Sequence, residues 1–112
     1  MKKGDDTQKS IGTLTEKQIR NQIQSYLRWA GWFVYYNFGG PLSYSGLSDL
    51  VAIRNGQVVF VEIKSKSGKQ SDEQRKFQHD LEAAGGRYVL ARDLCDVLHL
   101  GNEGATGQMR MY

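Results

Sequence analysis

Apolar and polar residues alternate along this chain in two rhythms, and the changes of rhythm mark out its elements. Ile19, Ile23, Leu27 and Ala30 recur at helical spacing, with Tyr26 broadening the stripe, so one face of a helix is buried. Thr15 stands just before them with Gln18 placed to complete a capping box, and Gly31 follows as a C-terminal cap. Trp32 to Phe38 is aromatic and β-branched, which predicts a first strand ended by Gly39-Gly40-Pro41. Leu42 to Gly46 reads as a loop that leaves Tyr44 exposed. Asp49–Arg54 and Gln57–Lys64 then read as a hairpin, because Asn55-Gly56 between them favours a two-residue turn. Ser71 is a second N-cap, Phe77, Leu81 and Ala84 supply the apolar face of a second helix, and Gly85-Gly86 stops it. Arg87 to Ala91 predicts a fourth strand buried around Val89, and Arg92 to Leu100 a last short helix.

This order is a single αβββαβ unit of the α/β class, a mixed sheet flanked by helices. The fourth strand is reached through a helix, so it runs parallel to the third by a right-handed crossover. At 112 residues the chain suits one domain with a real core. We expect a flexible arm over 1–14, the folded domain over 15–100 and a loose Gly-rich tail over 101–112.

Hairpin register brings chemistry into the pattern. A two-residue turn pairs Arg54 with Gln57, and counting outward sets Val51 against Phe60 and Asp49 against Glu62. Opposed residues share a face of the sheet with their β-carbons about 5 Å apart, and Lys64 lies on that face too. Two carboxylates so close repel, and one would take a raised pKa unless a cation lies between them. Hard divalent ions such as Mg²⁺ prefer carboxylate and carbonyl oxygens and would relieve the conflict. The plainer alternative is a surface ion pair between Glu62 and Lys64, which contributes little. It leaves the in-register Asp49 unexplained.

Charge and composition narrow the picture modestly. The formal net charge of +3 and a pI near 9.1 permit nucleic-acid binding without requiring it. No apolar stretch is long enough to span a bilayer, and Met1 to Ser10 lacks the apolar segment of a signal peptide. The one cysteine, Cys95, excludes an internal disulfide, suits a reducing compartment, and among Leu94, Val97 and Leu98 reads as a small core residue.

Taken together, Glu16, Gly46-Leu47-Ser48-Asp49, Glu62-Ile63-Lys64 and Ser71-Asp72-Glu73-Gln74 resemble the virus-type replication-repair nuclease (VRR-Nuc) domain of the PD-(D/E)xK superfamily. The likeness runs from about Thr15 to Leu94 in the family's order, with Leu47-Ser48 where the family often has Val-Pro. It implies a restriction-endonuclease-like core and a metal-dependent DNA nuclease, similar to Holliday-junction resolvases and acting on branched or junction DNA. Stand-alone members of this kind come from bacteria or phages, so the resemblance also implies the cytoplasm of a bacterial or phage-infected cell. Asp49, Glu62 and the backbone carbonyl of Ile63 would ligate Mg²⁺ or Mn²⁺. Lys64 would hold the attacking water. Glu16 would approach from the first helix as a ligand, directly or through water, and Gln74 would orient Lys64 or the water from the second.

Each of these residues has a second explanation. Glu16 in a first helical turn is favoured by the helix dipole, and Gln74 three places after Ser71 completes a capping box. His79 beside Asp80 reads as a surface residue. Lys66, Lys69, Arg75, Lys76 and Tyr44 are candidate DNA contacts, although charged runs of this kind are commonly solvated surface. A homodimer, with the aromatic first strand and its adjacent helix as the interface, would present paired sites to symmetric junctions. The competing function is a non-catalytic DNA-binding module using the basic 64–76 segment, and a third is an interaction protein whose acidic pair is incidental.

Overall fold

The computed structural model of the protein describes residues 13–37, 39 and 43–102. Helix α1 (Glu16–Trp29) leads into strand β1 (Phe33–Tyr36), the hairpin of β2 (Leu50–Arg54) and β3 (Gln57–Ile63), helix α2 (Asp72–Ala83) and strand β4 (Arg87–Ala91). A 3₁₀ turn at Leu94–Val97 and a short helix α3 (Leu98–Asn102) follow. The strands form one sheet in the order β1-β2-β3-β4, antiparallel except for the parallel β3–β4 pair that the α2 crossover produces.

Both long helices start where the sequence places their caps. The Thr15 hydroxyl accepts from the Gln18 N–H and the Ser71 hydroxyl from the Gln74 N–H, and each glutamine side chain returns to its cap residue's backbone. Asn55 and Gly56 both have positive φ, 52° and 79°, as a tight hairpin turn of this type needs. The register follows from that turn: Arg54 pairs with Gln57 and Val51 with Phe60.

Strand alternation divides the sheet into two faces. Leu50, Ala52, Val59, Val61, Ile63 and Ala91 pack with Ile19, Ile23 and Leu27 of α1, and with Trp32, Val34, Val97 and Leu100, in the main core. On the opposite face Phe77 of α2 meets Phe60, Tyr88 and Tyr44 through tilted or edge-on ring contacts. Glu62 shares the parity of Phe60, so it lies beneath α2.

Several expectations need correcting. The first strand is shorter than Trp32–Phe38, and Trp32 instead enters the core with its indole N–H donating to the Leu100 carbonyl. Leu14, assigned to the arm, packs against the core. Cys95 is exposed: a 3₁₀ turn replaces the first half of the expected helix and directs Val97 and Leu100 inward instead. Val89 is only half-buried, because β4 is an edge strand, and Ala84 is the exposed cap of α2. Gly101 and Asn102 close α3 rather than opening a loose tail. The arm over 1–12 and the tail over 103–112 lie outside the described residues, as do Phe38, Gly40, Pro41 and Leu42. No helix among the described residues is long and apolar enough to cross a membrane.

Candidate active site

Leu50 pairs with Val61, so the next step of the register brings Asp49 to Glu62. Asp49 sits just before β2, where its Oδ2 accepts a 2.7 Å hydrogen bond from the Ile63 N–H. That bond carries the hairpin pairing past the last backbone rung and holds the carboxylate at the sheet's end. The preceding loop is held as tightly. Gly46 has φ of 78° and lies so close to α2 that a β-carbon there would overlap the Glu73 carbonyl.

Glu62 is the unusual residue. Only 2% of it is exposed, because the first turns of α2 cover the face on which it lies. Its Oε2 accepts 2.8 Å from the Gln74 amide and is 3.9 Å from the Lys64 ammonium. Its Oε1 is buried and has no hydrogen-bond donor among the described residues. Burial pushes the Glu62 carboxyl up to about 8, with the Asp49 charge and a hydrogen bond to Asp49 adding to the rise and Lys64 opposing it, so without a cation the two acids share a proton at neutral pH. Two acids that share a proton in a buried site suit a divalent cation with oxygen ligands in the proton's place.

The remaining site residues fall at different distances from this pair. Gln74 serves both of its explanations at once: its Oε1 accepts from the Ser71 N–H at 2.9 Å while its Nε2 reaches Glu62. Glu16 accepts 3.3 Å from the Ser65 N–H, and its charge contributes to the Glu62 rise. Its carboxylate stands apart, since among the described residues no three acidic, His or Cys side chains gather closely enough to hold an ion. Ile63 ends β3 with its N–H committed to Asp49.

The candidate DNA contacts are not gathered in one place. Lys66 and Lys69 are exposed on the loop after β3. Arg75 pairs with Asp72 and donates to the Gln70 carbonyl, while Lys76 pairs with Asp80 at 2.7 Å, so both are engaged along α2. Tyr44 and Lys76 line a separate cleft of about 290 Å³ with Ser45, Glu73 and Phe77. His79 is a surface residue.

A solved structure titled "VRR_NUC domain" matches the chain with a TM-score of 0.68 at 18% identity, covering 80% of this chain and 97% of that one. The chain has the VRR_NUC fold. No family model and no curated protein sequence matches it. The likeness read from the sequence therefore holds at the level of the fold, a restriction-endonuclease-like αβββαβ core with a mixed sheet. Within this VRR_NUC fold the acidic pair, Lys64 and Gln74 meet at the carboxyl end of β3.

Two arginines escaped the sequence reading. Arg92, just past β4, donates to the carbonyls of Ser65, Lys66 and Gly68 at 2.7, 3.2 and 2.7 Å, and so ties down the loop that follows Lys64. Arg20, one turn after Glu16, lines a cleft of about 370 Å³ with Tyr36, Asn37, Gly39 and Asp49. For Arg20 the signal was available, because residues four apart on a helix share a face and Glu16 was already a candidate. For Arg92 there was none, since no local pattern shows which loop a strand-end arginine will meet.

Proposed function

We propose that the protein is a metal-dependent deoxyribonuclease that hydrolyses phosphodiester bonds, acting as an endonuclease on branched or junction DNA. The observation that carries this reading is the buried Glu62 carboxyl, set against Asp49 with one oxygen lacking a donor among the described residues. Binding alone has no use for opposed acids. Asp49, Glu62 and the Ile63 carbonyl would hold Mg²⁺ or Mn²⁺, with Glu16 reaching it through water. Such an ion, when bound, lowers the pKa of a coordinated water and withdraws charge from a phosphoryl oxygen.

The chain's own groups do the rest. Lys64, itself largely buried, orients the attacking water and offsets charge that builds on the phosphate. Gln74 donates to Oε2 of Glu62 and so restrains the carboxyl's orientation. Glu16, through Ser65, steadies the backbone next to Lys64. The protein works in a reducing cytoplasm, where the exposed Cys95 stays a thiol.

We also propose a two-fold homodimer. Trp29 is 81% and Phe33 64% exposed, Tyr35 lies beside Phe33, and β1 is an edge of the sheet. Such an edge is a ready surface for a second copy. Sedimentation as a monomer at micromolar concentration rejects it.

The deciding experiment incubates wild type and Asp49→Asn with a labelled four-way junction, a flap and a plain duplex, with and without Mn²⁺. We expect Mn²⁺-dependent cutting of the junction by wild type alone. Equal cutting by both proteins refutes the assignment. Metal-independent binding without cutting favours the binding-module reading, for which the exposed Lys66 and Lys69 provide the surface.

A further inference from the structure

Arg20 lies on the α1 side of the acidic pair, over an aromatic ring. It lies one turn beyond Glu16 on α1, and its guanidinium stands 5.7 Å from the centroid of the Tyr36 ring. Both line the cleft that ends at Asp49, with Asn37 and Gly39 along the wall. The wall is held in place: the Asn37 amide donates to the Ser48 carbonyl at 2.9 Å, and the Asn37 N–H donates to the Asp49 carbonyl at 2.9 Å. The Tyr36 hydroxyl is 2.6 Å from the Gln24 side chain, which fixes the ring under the guanidinium.

An arginine beside two acids would ordinarily be read as their counter-ion. The geometry is against that. Among the described residues Arg20 forms no ion pair within 4 Å, although Glu16 is at the favourable helical spacing. Glu16 turns instead to the Ser65 N–H, and Asp49 to the Ile63 N–H. Stacking on an aromatic ring restrains a guanidinium and leaves its N–H edge free, and that planar fork matches the oxygens of a phosphodiester. The cleft volume of about 370 Å³ is within the range of small-ligand sites.

We infer that Arg20 is a substrate-positioning residue: with Tyr36 beneath it, it holds a DNA backbone phosphate next to the one that is cut. This rests on the nuclease reading above and adds to it the side from which the strand enters. DNA passes along the α1 flank of the acidic pair, between Arg20 and Asp49, rather than over the α2 cations already paired with Asp72 and Asp80.

The test uses the full-length protein and the four-way junction. Binding is followed by fluorescence anisotropy in Ca²⁺ across a salt series, and cutting in Mn²⁺, for wild type, Arg20→Ala and Arg20→Lys. Arg20→Ala should raise Kd and KM about tenfold, leave kcat within about twofold, and lower the slope of log K against log salt by about one. Arg20→Lys should restore the slope but only part of the affinity, since it returns the charge without the fork. Junctions with one neutral methylphosphonate at each phosphate around the cut locate the contact: at one position wild type should weaken as Arg20→Ala does, and Arg20→Ala should weaken no further. Should Arg20→Ala not fold, Arg20→Lys takes its place in the methylphosphonate series, and the loss at that one position should be smaller for Arg20→Lys than for wild type, whereas an equal loss at every position overturns the inference.

Unchanged Kd, KM and salt slope in Arg20→Ala overturn the inference, as does a fall in kcat with KM unchanged. Wild type that binds with an Arg20-dependent slope but does not cut refutes the hydrolytic reading and leaves the phosphate contact standing. Wild type that neither binds nor cuts overturns both.

Discussion

Removing the ionisable group at position 62 should make the metal-free protein more stable at alkaline pH. The carboxyl of Glu62 rises from 4.5 to about 8 in the folded chain. A raised acid binds its proton more tightly when folded, so its stabilising contribution is complete below pH 4.5 and is lost as pH climbs towards 8. Between pH 5 and pH 8 the loss spans about 2.5 pKa units, and at 1.36 kcal/mol per unit it amounts to about 3 kcal/mol. Glu62→Gln has no proton to lose, yet its carbonyl still accepts from the Gln74 amide. The assay is urea unfolding of both proteins in EDTA at pH 5 and pH 8, with the difference of differences cancelling other titrating groups. With a slope of about 1.5 kcal/mol per molar, the wild-type midpoint should fall about 2 M further than the variant's. Mn²⁺ at pH 8 should recover much of that deficit in wild type and little in Glu62→Gln. Parallel pH profiles in EDTA would refute the reasoning, because the carboxylate would then be ionised in the fold at no expense.

Three further outcomes follow from the same geometry. Gly46→Ala should destabilise by about 2–4 kcal/mol in thermal or urea unfolding, since the new methyl meets the Glu73 carbonyl at a left-handed φ. Gln74→Glu should retain the α2 cap, seen as unchanged helicity by circular dichroism, but weaken metal-free stability at pH 7 by about 2 kcal/mol by placing a third acid on Glu62. Arg92→Met should leave the sheet intact while hydrogen exchange over residues 65–68 accelerates, because three carbonyls lose one donor worth about 1–3 kcal/mol.

Much of this molecule was legible before its coordinates, for reasons that differ by residue. Thr15, Ser71 and Asn55-Gly56 work through contacts within a few residues, so the sequence shows both partners at once. Register past the turn is arithmetic, and it carried Asp49 to Glu62. Cys95 failed because the side on which a short C-terminal turn faces inward depends on contacts with α1 and Trp32, distant in sequence. The depth at which Glu62 is buried also needed the fold, since α2 covers it from twelve residues away. Arg20 was half legible: its helical phase was known, but not that Glu16 and Asp49 would turn to backbone amides instead of to it.

The double use of Gln74 shows how the fold and the site constrain each other. A capping box needs an acceptor at this position, and either glutamine or glutamate provides one. The buried carboxylate of Glu62 needs a donor, and only the amide offers both ends. With Oε1 held by the Ser71 N–H, the amide cannot rotate to present oxygen to Glu62, so the direction of the second bond is set by the first. The start of α2 is therefore tied to the orientation of Glu62, and through it to the contact between Glu62 and Asp49. Any sequence change that shifts the cap by one residue would move the donor off the carboxylate. The first turn of this helix then belongs to the candidate site as much as to the helix, and under the proposed function substitutions there should change metal affinity as well as stability.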